Sequence, residues 1–102
     1  MDHTPISAPD APQPIGPYSV GALDATSGLL FLSGQTPIDP ATGALVAGDV
    51  GAQTRRVFAN LERVLDAAGA SLADVIKGNV YLTSMADFPA RNEVYARVFE
   101  AP

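Results

Sequence analysis

The side chains of this chain that could do chemistry are few and scattered. One histidine (His3), one lysine (Lys77) and no cysteine occur among the 102 residues. His3 lies in a proline-punctuated lead-in, so neither a Ser-His-Asp triad nor a histidine-based metal site is expected. Without cysteine there is no thiolate nucleophile, no disulfide set and no Cys-ligated metal. Lys77 reads as a solvated or paired strand lysine rather than a Schiff-base former. No P-loop or dinucleotide glycine motif is present. What remains is neutral and polar: Tyr18, Ser33 with Gly34, and Asn92.

Each of these has two readings. Tyr18 stands in the stretch Gln13-Pro14-Ile15-Gly16-Pro17-Tyr18-Ser19, in which two prolines and a glycine fix the approach to the ring. It is either a core or interface aromatic with its hydroxyl at the edge, or a ligand-binding group. Ser33 and Gly34 either end a strand or bring backbone close to a ligand. Asn92 falls on the apolar stripe of a helix, and burying an amide unpaired costs ~1–3 kcal/mol. It therefore either ties helix to strand or lines a polar pocket.

The elements that must position these groups follow from periodicity and punctuation. Residues 1–14 hold four prolines and read as an extended, partly disordered lead-in, with one domain over 15–102. Tyr18–Ala22 and Leu29–Leu32 pattern as two strands of a hairpin, joined by a turn over Asp24–Gly28. Asp39-Pro40-Ala41-Thr42-Gly43 has turn composition. A helix is predicted from Val50 to Ala68, capped by Asp49 and ended by Gly69. Its apolar stripe is Val50, Val57, Leu61, Val64, Leu65 and Ala68. Ser71–Asp74 fits a capping-box turn. Val75–Leu82 alternates as a strand. A second helix is predicted over Asp87–Phe99, with Phe88, Tyr95, Val98 and Phe99 on one side and Arg91 and Arg97 on a solvated face. The order strand, strand, helix, strand, helix specifies an α+β domain with helices on one face of a mixed sheet.

Composition narrows the function. The formal net charge of −5 argues against nucleic acid and anionic membranes as partners, because both are bound through Lys and Arg. The N-terminus lacks a signal-peptide pattern, and no apolar run approaches the ~20 residues of a membrane span, so a cytoplasmic setting is expected. A lone core of this length is marginal, which leaves oligomerisation as a supplement.

The motifs IGPYS, FLSGQTPIDPATG, AQTRRVFANLERVLDAAGASLADVIKGNVYLT and DFPARNEVYARVF, in this order, resemble the RidA (YjgF) family of imine deaminases. The resemblance runs from about Ala11 to the end. It implies a chorismate-mutase-like α+β fold, a homotrimer with ligand clefts between subunits, and no cofactor. It also implies hydrolysis of enamine and imine compounds such as 2-aminoacrylate and 2-iminopropanoate to 2-keto acids and ammonia. Tyr18, Ser33, Gly34, Phe88 and Asn92 match the family's substrate-binding positions, with Tyr18 and Phe88 as walls and Ser33 and Gly34 as polar and backbone contacts. No residue is assigned as catalytic. The family pattern continues through a Pro-x-Arg segment and two further strands, with the arginine on the substrate carboxylate and a later glutamate placing water. The chain as written stops at Glu100-Ala101-Pro102, truncated before those strands.

Three functions follow from the resemblance. One is a hydrolytic deaminase. Another is a non-catalytic small-carboxylate-binding or protective trimer on the same scaffold, favoured for a chain ending at Pro102. The third, the ribonuclease or translation-inhibitor label that the family also carries, fits poorly with an acidic chain whose only histidine is in the lead-in.

Overall fold

The computed structural model describes residues 2–99. Three short strands, β1 (His3–Ile6), β2 (Gly21–Asp24) and β3 (Leu30–Leu32), form an antiparallel sheet in the order β1-β2-β3. The β2–β3 register pairs Gly21 with Leu32 and Leu23 with Leu30, as a hairpin requires. Its turn is built by Asp24, whose carboxylate accepts from the Ser27 hydroxyl at 2.6 Å and from the Thr26 amide at 3.2 Å. Gly28 closes the turn at φ 75°, a conformation that glycine reaches without a Cβ clash. These bonds, the Ser27 hydroxyl first, hold the Asp24 carboxyl below its ordinary value.

The lead-in departs from expectation. His3–Ile6 pair with β2, placing His3 opposite Asp24 and Ile6 opposite Gly21. Prolines do not prevent this, because β1 is an edge strand and Pro5 needs no amide on its outer side. Ala8 and Ala11 are then buried with Val20 and Val64, and Ile6 and Leu32 pack against them. This cluster joins the lead-in, the hairpin and the long helix.

That helix, α1 (Val50–Ala67), is the element most closely anticipated. Asp49 accepts from the Ala52 amide at 2.9 Å as N-cap. At the other end Gly69 takes φ 77°, and the Gly69 and Ala70 amides donate to the Asp66 and Leu65 carbonyls at 3.0 and 2.9 Å. That is a Schellman ending, which satisfies two orphan carbonyls. The Ser71–Asp74 capping box is also present, opening a single 3-10 turn.

The second helix, α2 (Phe88–Val98), packs on α1. Phe58 of α1 meets Tyr95 and Phe99 edge-on, with ring centroids 5.8 and 5.5 Å away. Val94 is the buried residue of α2.

Val75–Leu82 is not a strand in this structure. Alternation supplies two faces but not a neighbour, and an isolated extended segment has no ladder to stabilise it. Among the described residues no backbone amide from 76 to 83 donates to a backbone carbonyl. Ile76 and Tyr81 stand 86% and 90% exposed. The sheet is consequently antiparallel over the described residues, not mixed.

Candidate functional site

The stretch before Tyr18 folds as a tight turn. The Tyr18 amide donates to the Gly16 carbonyl at 2.8 Å, spanning Pro17. The tyrosine ring lies back over Gly16, 3.6 Å from where a Cβ would stand. Gln13 secures the preceding loop by donating to the Ala8 and Ala11 carbonyls at 3.3 and 3.2 Å. Tyr18 is half exposed, and its hydroxyl makes no hydrogen bond among the described residues. Beside it a shallow cleft of about 270 Å³ is lined by Ile6, Ala8, Gln13, Pro14 and Ser19.

Ser33 joins this group. Its amide donates to the Val20 carbonyl at 3.0 Å, and its hydroxyl donates to the Ser19 carbonyl at 2.5 Å. The hydroxyl proton is thus committed to backbone, and the oxygen faces other partners as an acceptor. Gly34 follows, with nothing within 4 Å of an added Cβ. Tyr18, Ser33 and Gly34 therefore form one patch at the end of the β2–β3 hairpin.

Phe88 and Asn92 lie elsewhere, one turn apart on α2. Both are exposed. No hydrogen bond or aromatic contact among the described residues joins them to Tyr18, Ser33 or Gly34. Asn92 does not occupy the apolar stripe predicted for it. Val94 takes the buried position, because α2 turns its Arg91–Val94–Tyr95–Val98 side towards α1. Arg91 is correspondingly not a fully solvated cation. Its guanidinium lies 4.5 Å from the Tyr95 ring centroid and 5.4 Å from that of Phe88. Its Nε is buried without a partner among the described residues, while Nη1 approaches the Asn92 Oδ1 at 3.5 Å. Arg97 does remain on the solvated face, paired with Glu93 at 2.9 Å.

The amide that the fold does bury is Asn60, which went unsingled in the sequence. It is fully buried on α1. Its Nδ2 donates to the Thr36 and Ile38 carbonyls at 3.2 and 2.9 Å, and its Oδ1 accepts from Arg56 Nε at 3.1 Å. The signal was available: Asn60 falls between Val57, Leu61 and Val64 on the apolar stripe of the clearest helix.

Chemically the patch offers hydroxyl, backbone and amide groups without a strong acid or base. No cluster of three or more His, Asp or Glu side chains that could hold a metal occurs among the described residues. The family profile of Endoribonuclease L-PSP matches residues 8–102. The chain belongs to this family, which includes the RidA (YjgF) proteins. A RutC family protein of Pyrococcus horikoshii is 54% identical over 94 residues, covering 92% of this chain and 73% of its own length. The 2-iminobutanoate/2-iminopropanoate deaminase of Dermatophagoides farinae is 38% identical, covering 95% of this chain and 74% of its own. Among solved structures, E. coli TdcF with bound serine superposes with a TM-score of 0.86 at 41% identity, over 95% of this chain and 74% of that one. The α+β fold is thus that of the family's structures. No described helix is long and apolar enough to cross a membrane.

Proposed function

We propose that this chain is a Rid-type deaminase that hydrolyses 2-imino acids in a pocket completed between copies in a cytoplasmic homotrimer. The observation that carries the proposal is the split of the candidate residues. Tyr18, Ser33 and Gly34 sit at the β2–β3 hairpin and Phe88 and Asn92 on α2, with no hydrogen bond or aromatic contact between the two groups among the described residues, which suits a pocket completed by a second copy. The apolar exposure favours the same arrangement. Phe31 on β3 is 61% exposed while its neighbours Leu30 and Leu32 are half-buried. An aromatic ring left this open on a sheet face suits cover by a partner copy.

In this reaction water adds to the imine carbon, the carbon–nitrogen bond breaks, and ammonia leaves as the carbonyl forms. A 2-imino acid is already electrophilic, so positioning and hydrogen bonding carry the catalysis. Tyr18 and Phe88 wall the substrate, Gly34 admits it against backbone, and the Asn92 amide and Ser33 oxygen orient its polar atoms. The name of the Dermatophagoides relative supports the substrate class. Generating 2-aminoacrylate with a serine dehydratase and following pyruvate release tests this. No acceleration by the protein would refute it.

The serine bound to TdcF favours a second reading, retention of a small carboxylate without turnover. Saturable binding of 2-oxobutyrate with no accelerated hydrolysis would select it. RNA cleavage surviving rigorous purification and lost in Tyr18→Phe would instead support the ribonuclease reading.

A further inference from the structure

We infer that Asn60 is a positioning residue for the proposed pocket, holding the Thr36-Pro37-Ile38 turn and through it the Ser33–Gly34 backbone. The inference rests on the pocket assignment above and adds a residue that does not line it. The turn itself is tight: the Ile38 amide donates to the Thr36 carbonyl at 2.7 Å across Pro37. The Thr36 and Ile38 carbonyls both lie within reach of the single Asn60 NH₂ group. Arg56 Nε on the Asn60 Oδ1 fixes the sense of the amide, since a guanidinium can only donate. No other side chain in the described residues bonds to this turn's carbonyls.

The consequence reaches Gly34 by short covalent range. Ser33 is fixed from the front by its bonds to Val20 and Ser19. Asn60 fixes the chain from behind three residues later. Gly34 and Gln35 are left between two anchors, and nothing described lies within 4 Å of where a Cβ at Gly34 would stand. A glycine with open space around it is a poor locator of backbone, so its position must come from these anchors. The turn is also tied to the next loop, where the Val46 amide donates to the Pro37 carbonyl at 2.8 Å.

The test is Asn60→Leu, which keeps approximate volume and removes the Nδ2 donor, leaving the Ile38 carbonyl unpaired and the Thr36 carbonyl with only the Ile38 amide. Amide exchange at Ile38 and Val46 is expected to accelerate by about tenfold, while Val64 and Leu65 of α1 keep their protection. The Kd for 2-oxobutyrate is expected to rise by about fivefold or more. Unchanged exchange at Ile38 and Val46, or a uniform rise that includes Val64 and Leu65, would overturn the inference. Local acceleration with unchanged ligand affinity would overturn the pocket role. Should Asn60→Leu fail to fold, Arg56→Met, which frees the amide to rotate, carries the same exchange comparison with a smaller rise. A wild-type protein that does not bind the keto acid refutes the functional proposal instead, and the exchange ratio still decides whether Asn60 holds the turn.

Discussion

The Ser33 hydroxyl donates to the carbonyl of Ser19, fourteen residues earlier, at 2.5 Å. This bond ties the far end of β3 to the turn that presents Tyr18. Ser33→Ala removes it and leaves the Ser19 carbonyl to water. Urea unfolding is expected to show a loss of about 1 kcal/mol, the usual net worth of such a bond. Restoration by Ser33→Thr, which keeps the hydroxyl, separates the bond from mere change of surface. An alanine variant as stable as wild type would contradict the structural role.

Two glycines make opposite predictions. An added Cβ at Gly21 would stand 2.9 Å from Leu32 Cδ2 and 3.1 Å from the Phe31 carbonyl. The backbone contact cannot give way easily, so Gly21→Ala is expected to cost about 1–3 kcal/mol. At Gly34 an added Cβ meets nothing. Gly34→Ala is expected to leave the midpoint of unfolding of the isolated chain unchanged yet to weaken 2-oxobutyrate binding, because in the proposed pocket the ligand needs that space. Equal affinity in the alanine variant would remove Gly34 from the pocket.

Asp24 predicts a pH dependence. The Ser27 hydroxyl and the Thr26 amide favour its ionised form, so its folded pKa lies below the unfolded value near 3.8. The stabilisation is therefore complete above the unfolded pKa and is lost as pH falls through the folded one. Thermal melts between about pH 6 and pH 2 should show this fall, reduced in Asp24→Ala. An unchanged slope in the variant would assign the acid sensitivity to other carboxylates.

Local rules made α1 legible in advance: Asp49, Gly69 and the apolar stripe each act within one turn of their own position. The hairpin's turn was legible for the same reason, although its first strand runs Gly21–Asp24 rather than Tyr18–Ala22 and leaves Tyr18 in the preceding loop. Val75–Leu82 was not, because a strand is defined by its neighbour and alternation carries no information about one. Nor was β1, whose pairing with β2 bridges a proline-rich loop. The amide case is instructive in another way. A stripe amide must find partners, and the principle held at Asn60, whereas Asn92 escaped it by facing outward. Which side of α2 is buried depends on how Phe58 receives Tyr95 and Phe99, a tertiary fact absent from the helix's own weak pattern.

Arg91 gives the sharpest separation of charge from shape. Its guanidinium stacks near Tyr95 and Phe88, yet its buried Nε lacks a partner among the described residues. Stacking over a ring contributes about 0.5–1 kcal/mol at a partly exposed site, and a compact ammonium does not reproduce the planar contact. Arg91→Lys is accordingly expected to lose about that amount in chemical denaturation. Arg91→Met keeps the apolar stem and deletes the orphan donor, so the two effects offset and stability should stay within about 0.5 kcal/mol of wild type. A lysine variant equal to wild type beside a weakened methionine variant would show that charge, not stacking, holds this side of α2.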